Sequence, residues 1–138
     1  MPAAAKNKKR LVLLDAHAII HRAYHALKEQ GFSSGGEPTG ALYGLSLMLL
    51  KIVDELKPDY IAACYDLPEP THRHEVYEDY KAGRAAIDDD LVLQLNRSRD
   101  IFKAFSIPIY ESAGYEADDV LGTIVHTLKN NKDVEIVI

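Results

Sequence analysis

Apolar residues along the chain alternate between short continuous runs and longer stretches of helical spacing, the pattern of an α/β fold whose strands are buried under helices. Leu11-Val12-Leu13-Leu14 reads as a buried strand ending at Asp15, followed by a helix from about His17 to Lys28 and a Gly/Ser loop through Gly36. Thr39 is placed to cap a second helix, whose apolar positions Leu42, Leu45, Leu49, Ile52, Val53 and Leu56 keep helical spacing until Lys57-Pro58-Asp59 stops it. Tyr60 to Tyr65 is the next strand, and Asp66 ends it.

From Leu67 to Asp90 two prolines, mixed charge and little periodicity indicate a surface excursion with a short helix. Asp88-Asp89-Asp90 supplies negative charge to the start of a helix running to about Phe105, and Ile107-Pro108-Ile109-Tyr110 is a short strand that its proline confines to an edge. A helix from about Tyr115 to Lys129 buries Ala117, Val120, Leu121, Ile124, Val125 and Leu128, and Val134 to Ile138 begins a further strand. The expected architecture is a three-layer α/β domain, a parallel-type sheet with helices on both faces.

Composition narrows the choice of class. A chain of 138 residues that is 47% hydrophobic and 27% charged suits one globular domain. The single Cys64 cannot form a disulfide within the chain, and within the run Tyr60 to Tyr65 it reads as a small buried thiol in a reducing compartment, with no catalytic role. Residues 1–10 are expected to be a basic, flexible start. The apolar run behind them is cut short by Asp15, so no signal peptide or membrane span is expected. Lys6, Lys8, Lys9 and Arg10 take four of the 16 basic residues, which leaves 12 against all 21 acids in residues 11–138. So acidic a body would not grip nucleic acid by bulk charge, unless its acids gather where bound cations cancel them.

Their placement suggests that they do. Asp15 and Asp66 each end a strand, and Glu116-Ala117-Asp118-Asp119 opens a helix just after one. In an open parallel sheet those positions meet at the carboxyl edge, where ligands bind. Successive helical residues turn by about 100°, so Asp118 and Asp119 diverge while Glu116 and Asp119 nearly align. Oxygen-only ligands of this kind suit Mg²⁺ or Mn²⁺, and two such ions suit phosphodiester hydrolysis. Taken singly, each acid reads equally well as a helix cap or a solvated charge. His17, His21 and His25 share one helix face, a spacing that could clamp a transition metal, although packed or surface histidines are the commoner outcome. The glycines between Gly31 and Gly44 lack the Gly-x-x-x-x-Gly-Lys of a nucleotide loop; the helix start near Thr39 could instead offer N–H groups to a phosphate.

Four motifs extend the pattern: Leu13-Leu14-Asp15 with Arg22-Ala23-Tyr24-His25-Ala26, then Gly36-Glu37-Pro38-Thr39-Gly40-Ala41-Leu42-Tyr43-Gly44, then Tyr65-Asp66 leading through Arg73 to Tyr80-Lys81-Ala82-Gly83-Arg84, and Gly114-Tyr115-Glu116-Ala117-Asp118-Asp119-Val120-Leu121-Gly122. In order, spacing and residue type the chain resembles the N-terminal part of the bacterial 5' nuclease domain of DNA polymerase I, in the flap endonuclease superfamily. The resemblance runs from Leu11 to Ile138 and implies a resolvase-like (PIN-like) domain, active in the cytoplasm on DNA with a 5' flap or 5' single-stranded end. It implies no membrane partner and no small-molecule cofactor. By that analogy Asp15, Asp66, Glu116 and Asp118 surround a first divalent ion and Asp119 faces a second. Arg22, Lys81 and Arg84 match the phosphate-contacting, catalytic basic residues. Lys81 and Arg84 fall in the excursion of residues 67–90, used by the family as a helical gateway, and Arg73, Tyr80 and Thr39 join the DNA-contacting set.

Two departures stand out. The family follows the strand Val134 to Ile138 with a Gly-Asp-x-Asp element that supplies ligands to the second ion, and this sequence stops before it. After Arg84 a proline-containing stretch is replaced by Ala85-Ala86-Ile87-Asp88. The expectation is a C-terminally truncated scaffold with an incomplete second metal site and weak or no activity alone. Two alternatives remain from the residues: a non-catalytic remnant that binds metal or DNA ends, and a phospho-receiver signalling domain, which would leave Arg22, Lys81 and Arg84 without a role.

Overall fold

The structure, a computed structural model, describes residues 7–66 and 88–138. In chain order the elements are β1 (Lys9–Asp15), α1 (Ala16–Leu27), a 3₁₀ turn (Lys28–Gln30), β2 (Ser33–Ser34), β3 (Glu37–Pro38), α2 (Gly40–Leu56), β4 (Tyr60–Cys64), α3 (Asp89–Ala104), β5 (Ile109–Tyr110), α4 (Ala117–Leu128) and β6 (Val134–Val137). The main sheet has the order β5-β4-β1-β6 with every pairing parallel. Winding proceeds outward from β1 through β4 to β5, then crosses back along α4 to place β6 on the other side of β1. Sheets with such a reversal bind ligands outside the carboxyl ends of their strands.

Strand alternation divides the core in two. Val12 and Leu14 of β1, with Ala63 and Tyr65, face Ala16 and Ile20 of α1, Leu45 and Leu49 of α2, and Leu91 and Phe102 of α3. Leu13, Ala62 and Cys64 face the opposite way, against Ala117 and Leu121 of α4, with Val120, Ile124 and Val125 packed alongside. The three-layer expectation holds, and β5 with its preceding Pro108 lies at the sheet edge as anticipated. Helices α1 and α2 meet closely because Gly44 has no side chain: a Cβ there would stand 2.8 Å from the Cβ of Ala23.

The structure departs from the sequence reading in several places. β1 begins at Lys9, within the stretch taken as a flexible start, because Lys9 and Arg10 pair with Val134 and Glu135. Arg10 also binds the Leu56 carbonyl and the Glu135 carboxylate, contacts that strand periodicity cannot reveal. The Gly/Ser loop contains the β2–β3 hairpin, turned by Gly35 and Gly36 at φ of 59° and 83°, values suited to a two-residue hairpin turn. Val53, placed in the apolar spacing of α2, is exposed. Thr39 occupies the N-cap position of α2 but its hydroxyl makes no capping bond. Buried Gln94 of α3 does that work from 53 residues away, its Oε1 accepting from Ala41 N at 2.7 Å and from Leu42 N at 3.4 Å.

Candidate metal centre

Local structure explains how each acid reaches the carboxyl edge. Asp15 closes β1 and caps α1, with Oδ1 accepting from Ala18 N at 3.2 Å. Asp66 lies two residues past the end of β4, where its backbone N–H meets His17 Nδ1 at 3.3 Å and its Oδ1 accepts from Ala117 N at 2.5 Å. Glu116, buried at 7% exposure, is the N-cap of α4 in a reciprocal capping box: its side chain accepts from Asp119 N while Asp119 Oδ2 accepts from Glu116 N at 2.9 Å. Asp118 is exposed in the first turn of the same helix.

Electrostatics show which acids share a field. Burial is the main cause that lifts the Asp15 carboxyl above its ordinary 3.8; the Ala18 hydrogen bond opposes it, and the charges of Asp118 and Asp66 add to the rise. Asp15, Asp66 and Asp118, from segments about fifty residues apart, are therefore brought to one place. Asp119 points elsewhere, into its capping bond and along a cavity of about 330 Å³ that it shares with Tyr110, Tyr115, Val120 and Ile124. The divergence of Asp118 and Asp119 follows their helical spacing. Among the described residues no three Asp, Glu, His or Cys side chains yet converge tightly enough to hold a metal ion. The donor set nevertheless fits a hard divalent cation in kind: carboxylate oxygens whose mutual repulsion a cation would relieve.

Other expected site residues divide between the described and undescribed parts of the chain. Arg22 is exposed on α1, one turn beyond Ala18. Arg73, Tyr80, Lys81 and Arg84, with the excursion up to residue 87, lie outside the described residues; Asp88, Asp89 and Asp90, at its end, begin α3. The N–H groups of Ala41 and Leu42 near Thr39 are taken by Gln94, so they are not offered to a phosphate as the sequence reading anticipated.

Two groups near the acids take roles that the sequence did not indicate. His17 adjoins Asp66, and burial is the main cause that lowers its pKa below 6.5, against the opposing pull of Asp66 and Asp15. Its ring meets the buried Tyr65 edge-on at 5.4 Å. Arg99 of α3 lies 4.4 Å above the Tyr65 ring and forms an ion pair with Glu111 at 2.6 Å. Among the described residues the three histidines form no metal-holding group; His25 packs edge-on against Tyr24, and its ring stands 6.4 Å from that of His21. Cys64 is fully buried with its pKa pushed up to about 11, an inert thiol as expected.

Fold and site together define a parallel α/β domain with an acidic carboxyl edge. The chain belongs to the family of the 5'-3' exonuclease, N-terminal resolvase-like domain, whose model matches residues 10–138. It is 46% identical over 115 residues to the DNA polymerase I of Chloroflexus aurantiacus, which covers 83% of this chain and 12% of that protein. It is 43% identical over 121 residues to the DNA polymerase I of Caldicellulosiruptor bescii, covering 88% of this chain and 14% of the relative. The chain thus spans only a small part of the length of the curated relatives it matches. Among solved structures, the bacteriophage T5 flap endonuclease in a pseudo-enzyme-product complex with DNA and metal ions aligns over 93% of this chain and 48% of its own, with a TM-score of 0.64 and 16% identity. T5 5'-exonuclease with bound zinc aligns over the same shares, at a TM-score of 0.61 and 18% identity. These two are likenesses of fold. Family membership sets aside the phospho-receiver alternative.

Proposed function

We propose that this domain contributes the first metal site of a divalent-cation-dependent 5'-3' exonuclease or flap endonuclease that hydrolyses DNA phosphodiesters at 5' flaps or 5' single-stranded ends in the bacterial cytoplasm. The observation that carries the reading is the electrostatic coupling of Asp15 to Asp66 and Asp118 at the carboxyl edge of the sheet. Asp15, Asp66, Glu116 and Asp118 would hold Mg²⁺ or Mn²⁺, and Asp119 would turn toward a second ion. A bound ion would supply charge neutralisation and a more acidic water at the phosphate. The carboxylates at this edge would hold the ion, with Asp15 half-buried at the end of β1.

The basic residues have the complementary task. Arg22, on the exposed face of α1, together with Lys81 and Arg84, would draw the scissile phosphate toward the acids and offset charge as it develops. Arg73, Tyr80 and the Thr39 hydroxyl would contact the DNA strand, Tyr80 by stacking on a base. The bonds from Ala41 and Leu42 to Gln94 limit Thr39 to its side chain. Among the described residues Asp119 is the one acid we assign to a second ion, and it is engaged in its capping bond, so cleavage by this chain is expected to be slow.

The test is a Mn²⁺ titration read by melting temperature, run beside cleavage of a labelled 5'-flap duplex. Mn²⁺ should raise the melting temperature of the parent and leave Asp118→Asn unmoved, and cleavage should stop in chelator. A melting temperature indifferent to both Mn²⁺ and Mg²⁺ would sink the reading. Metal-dependent DNA binding without any cleavage would favour the non-catalytic remnant.

A further inference from the structure

We infer that His17 is a positioning residue for Asp66, fixing the aspartate at the carboxyl edge through an Nδ1 hydrogen bond to its backbone N–H. This rests on the metal-centre reading above and gives it a part that neither the motifs nor the comparisons assign.

The argument begins where β4 runs out. β1 ends at Asp15, level with Cys64, and the last ladder bond on the other side is donated by Tyr65 N to the Tyr110 carbonyl at 3.0 Å. Asp66 stands one residue beyond, so among the described residues its N–H meets no further strand. A partly buried backbone donor without a partner is costly, and an aspartate held only by its side chain would swing about the chain. His17 Nδ1, on the first turn of α1, accepts that N–H at 3.3 Å. From the other face of the sheet, α4 donates Ala117 N to Asp66 Oδ1 at 2.5 Å. Asp66 is thus held from both helical layers at once, by its backbone on the α1 side and by its carboxylate on the α4 side.

The imidazole is itself braced. Its edge bears on the Tyr65 ring, whose hydroxyl is tied to the buried Ser98 at 2.5 Å and whose ring carries the Arg99 guanidinium at 4.4 Å. Glu111 anchors that guanidinium in turn. Support of this kind behind a metal ligand typically changes metal affinity by about 10–100-fold when it is lost. A ring that merely filled space against Tyr65 would need no acceptor nitrogen, and the two roles call for different replacements.

Phenylalanine keeps a ring against Tyr65 and removes the acceptor, whereas asparagine keeps an acceptor near the Nδ1 position and loses the ring. The experiment compares parent, His17→Phe and His17→Asn in the full chain by amide hydrogen exchange at Asp66, Mn²⁺ affinity and melting temperature. His17→Phe should speed Asp66 exchange and weaken Mn²⁺ binding by about tenfold while holding its melting temperature. His17→Asn should return Mn²⁺ affinity to within about threefold of the parent even where its melting temperature falls. Parent-like Asp66 exchange and Mn²⁺ affinity in His17→Phe would overturn the inference and leave the metal reading standing. If the parent binds no Mn²⁺ yet His17→Phe still unprotects the Asp66 amide, the metal reading fails while the positioning of Asp66 holds.

Discussion

At the scale of single residues the acids serve two purposes at once. Asp15 and Glu116 are helix caps, and they are also members of a crowded carboxylate edge. Asp15 titrates above its ordinary 3.8 in the fold, so its ionisation opposes folding: the stability it contributes is present below pH 3.8 and is lost as pH rises through the raised folded value. Asn caps a helix as well as Asp does, so without metal Asp15→Asn should melt higher than the parent at neutral pH, by about 1 kcal/mol or less because the group is only half-buried. That advantage should vanish below pH 3.8. Melting curves across pH in chelator check it, and a destabilised Asp15→Asn would contradict it. His17 works with the opposite sign. Its folded pKa lies below 6.5, so the unfolded state takes up the proton first and stability falls as pH drops through 6.5. In His17→Phe that part of the pH dependence should disappear.

At the scale of elements, the site depends on joints that hydrophobic periodicity does not describe. Gly44 lets α2 lie against Ala23 and Leu27 of α1, and a Cβ there would meet them at 2.8 and 3.1 Å. Gly44→Ala should destabilise by about 1–3 kcal/mol despite the better helix propensity of alanine, because the two helices must part. Urea unfolding measures this. Gln94 is the second joint: its amide caps α2 through Ala41 and Leu42 and reaches the Asp90 carbonyl through Nε2. Gln94→Leu would leave those donors buried and unmet, at a cost of about 1–3 kcal/mol, while Mn²⁺ affinity should stay close to that of the parent. A large loss of Mn²⁺ affinity in Gln94→Leu would mean that the α2 start and the acidic edge are coupled.

At the scale of the molecule, α4 decides where the chemistry gathers. It crosses from β5 at one edge to β6 at the other, packs on β1 and β4, and carries Glu116, Asp118 and Asp119 to the ends of the strands that supply Asp15 and Asp66. A gathering of carboxylates in so acidic a body should respond to cations as a whole. Millimolar Mg²⁺ is expected to raise the melting temperature by a few degrees, as linkage to a ligand of the folded state requires, and the monovalent salt that supplies the same ionic strength should not. Arg22→Ala should weaken DNA binding and flatten its dependence on salt without changing the Mg²⁺ response, which separates phosphate contact from metal binding.

Much of this was legible before any coordinates. The alternation of apolar runs set the strands, the helices and their order, because burial against a sheet or along a helix face imposes periods of two or 3.6 on the residues themselves. Asp15, Asp66 and Asp118 could be marked because strand ends and helix starts in a parallel sheet share one edge, whatever the details of packing. What folding alone decided were the partnerships between distant segments: Gln94 in place of Thr39 as the cap of α2, His17 beneath the Asp66 amide, and Arg99 over Tyr65. Such contacts leave no period in a sequence. They arise where side chains from separate segments compete for the same donor, and only the packed molecule sets which of them is near enough to win.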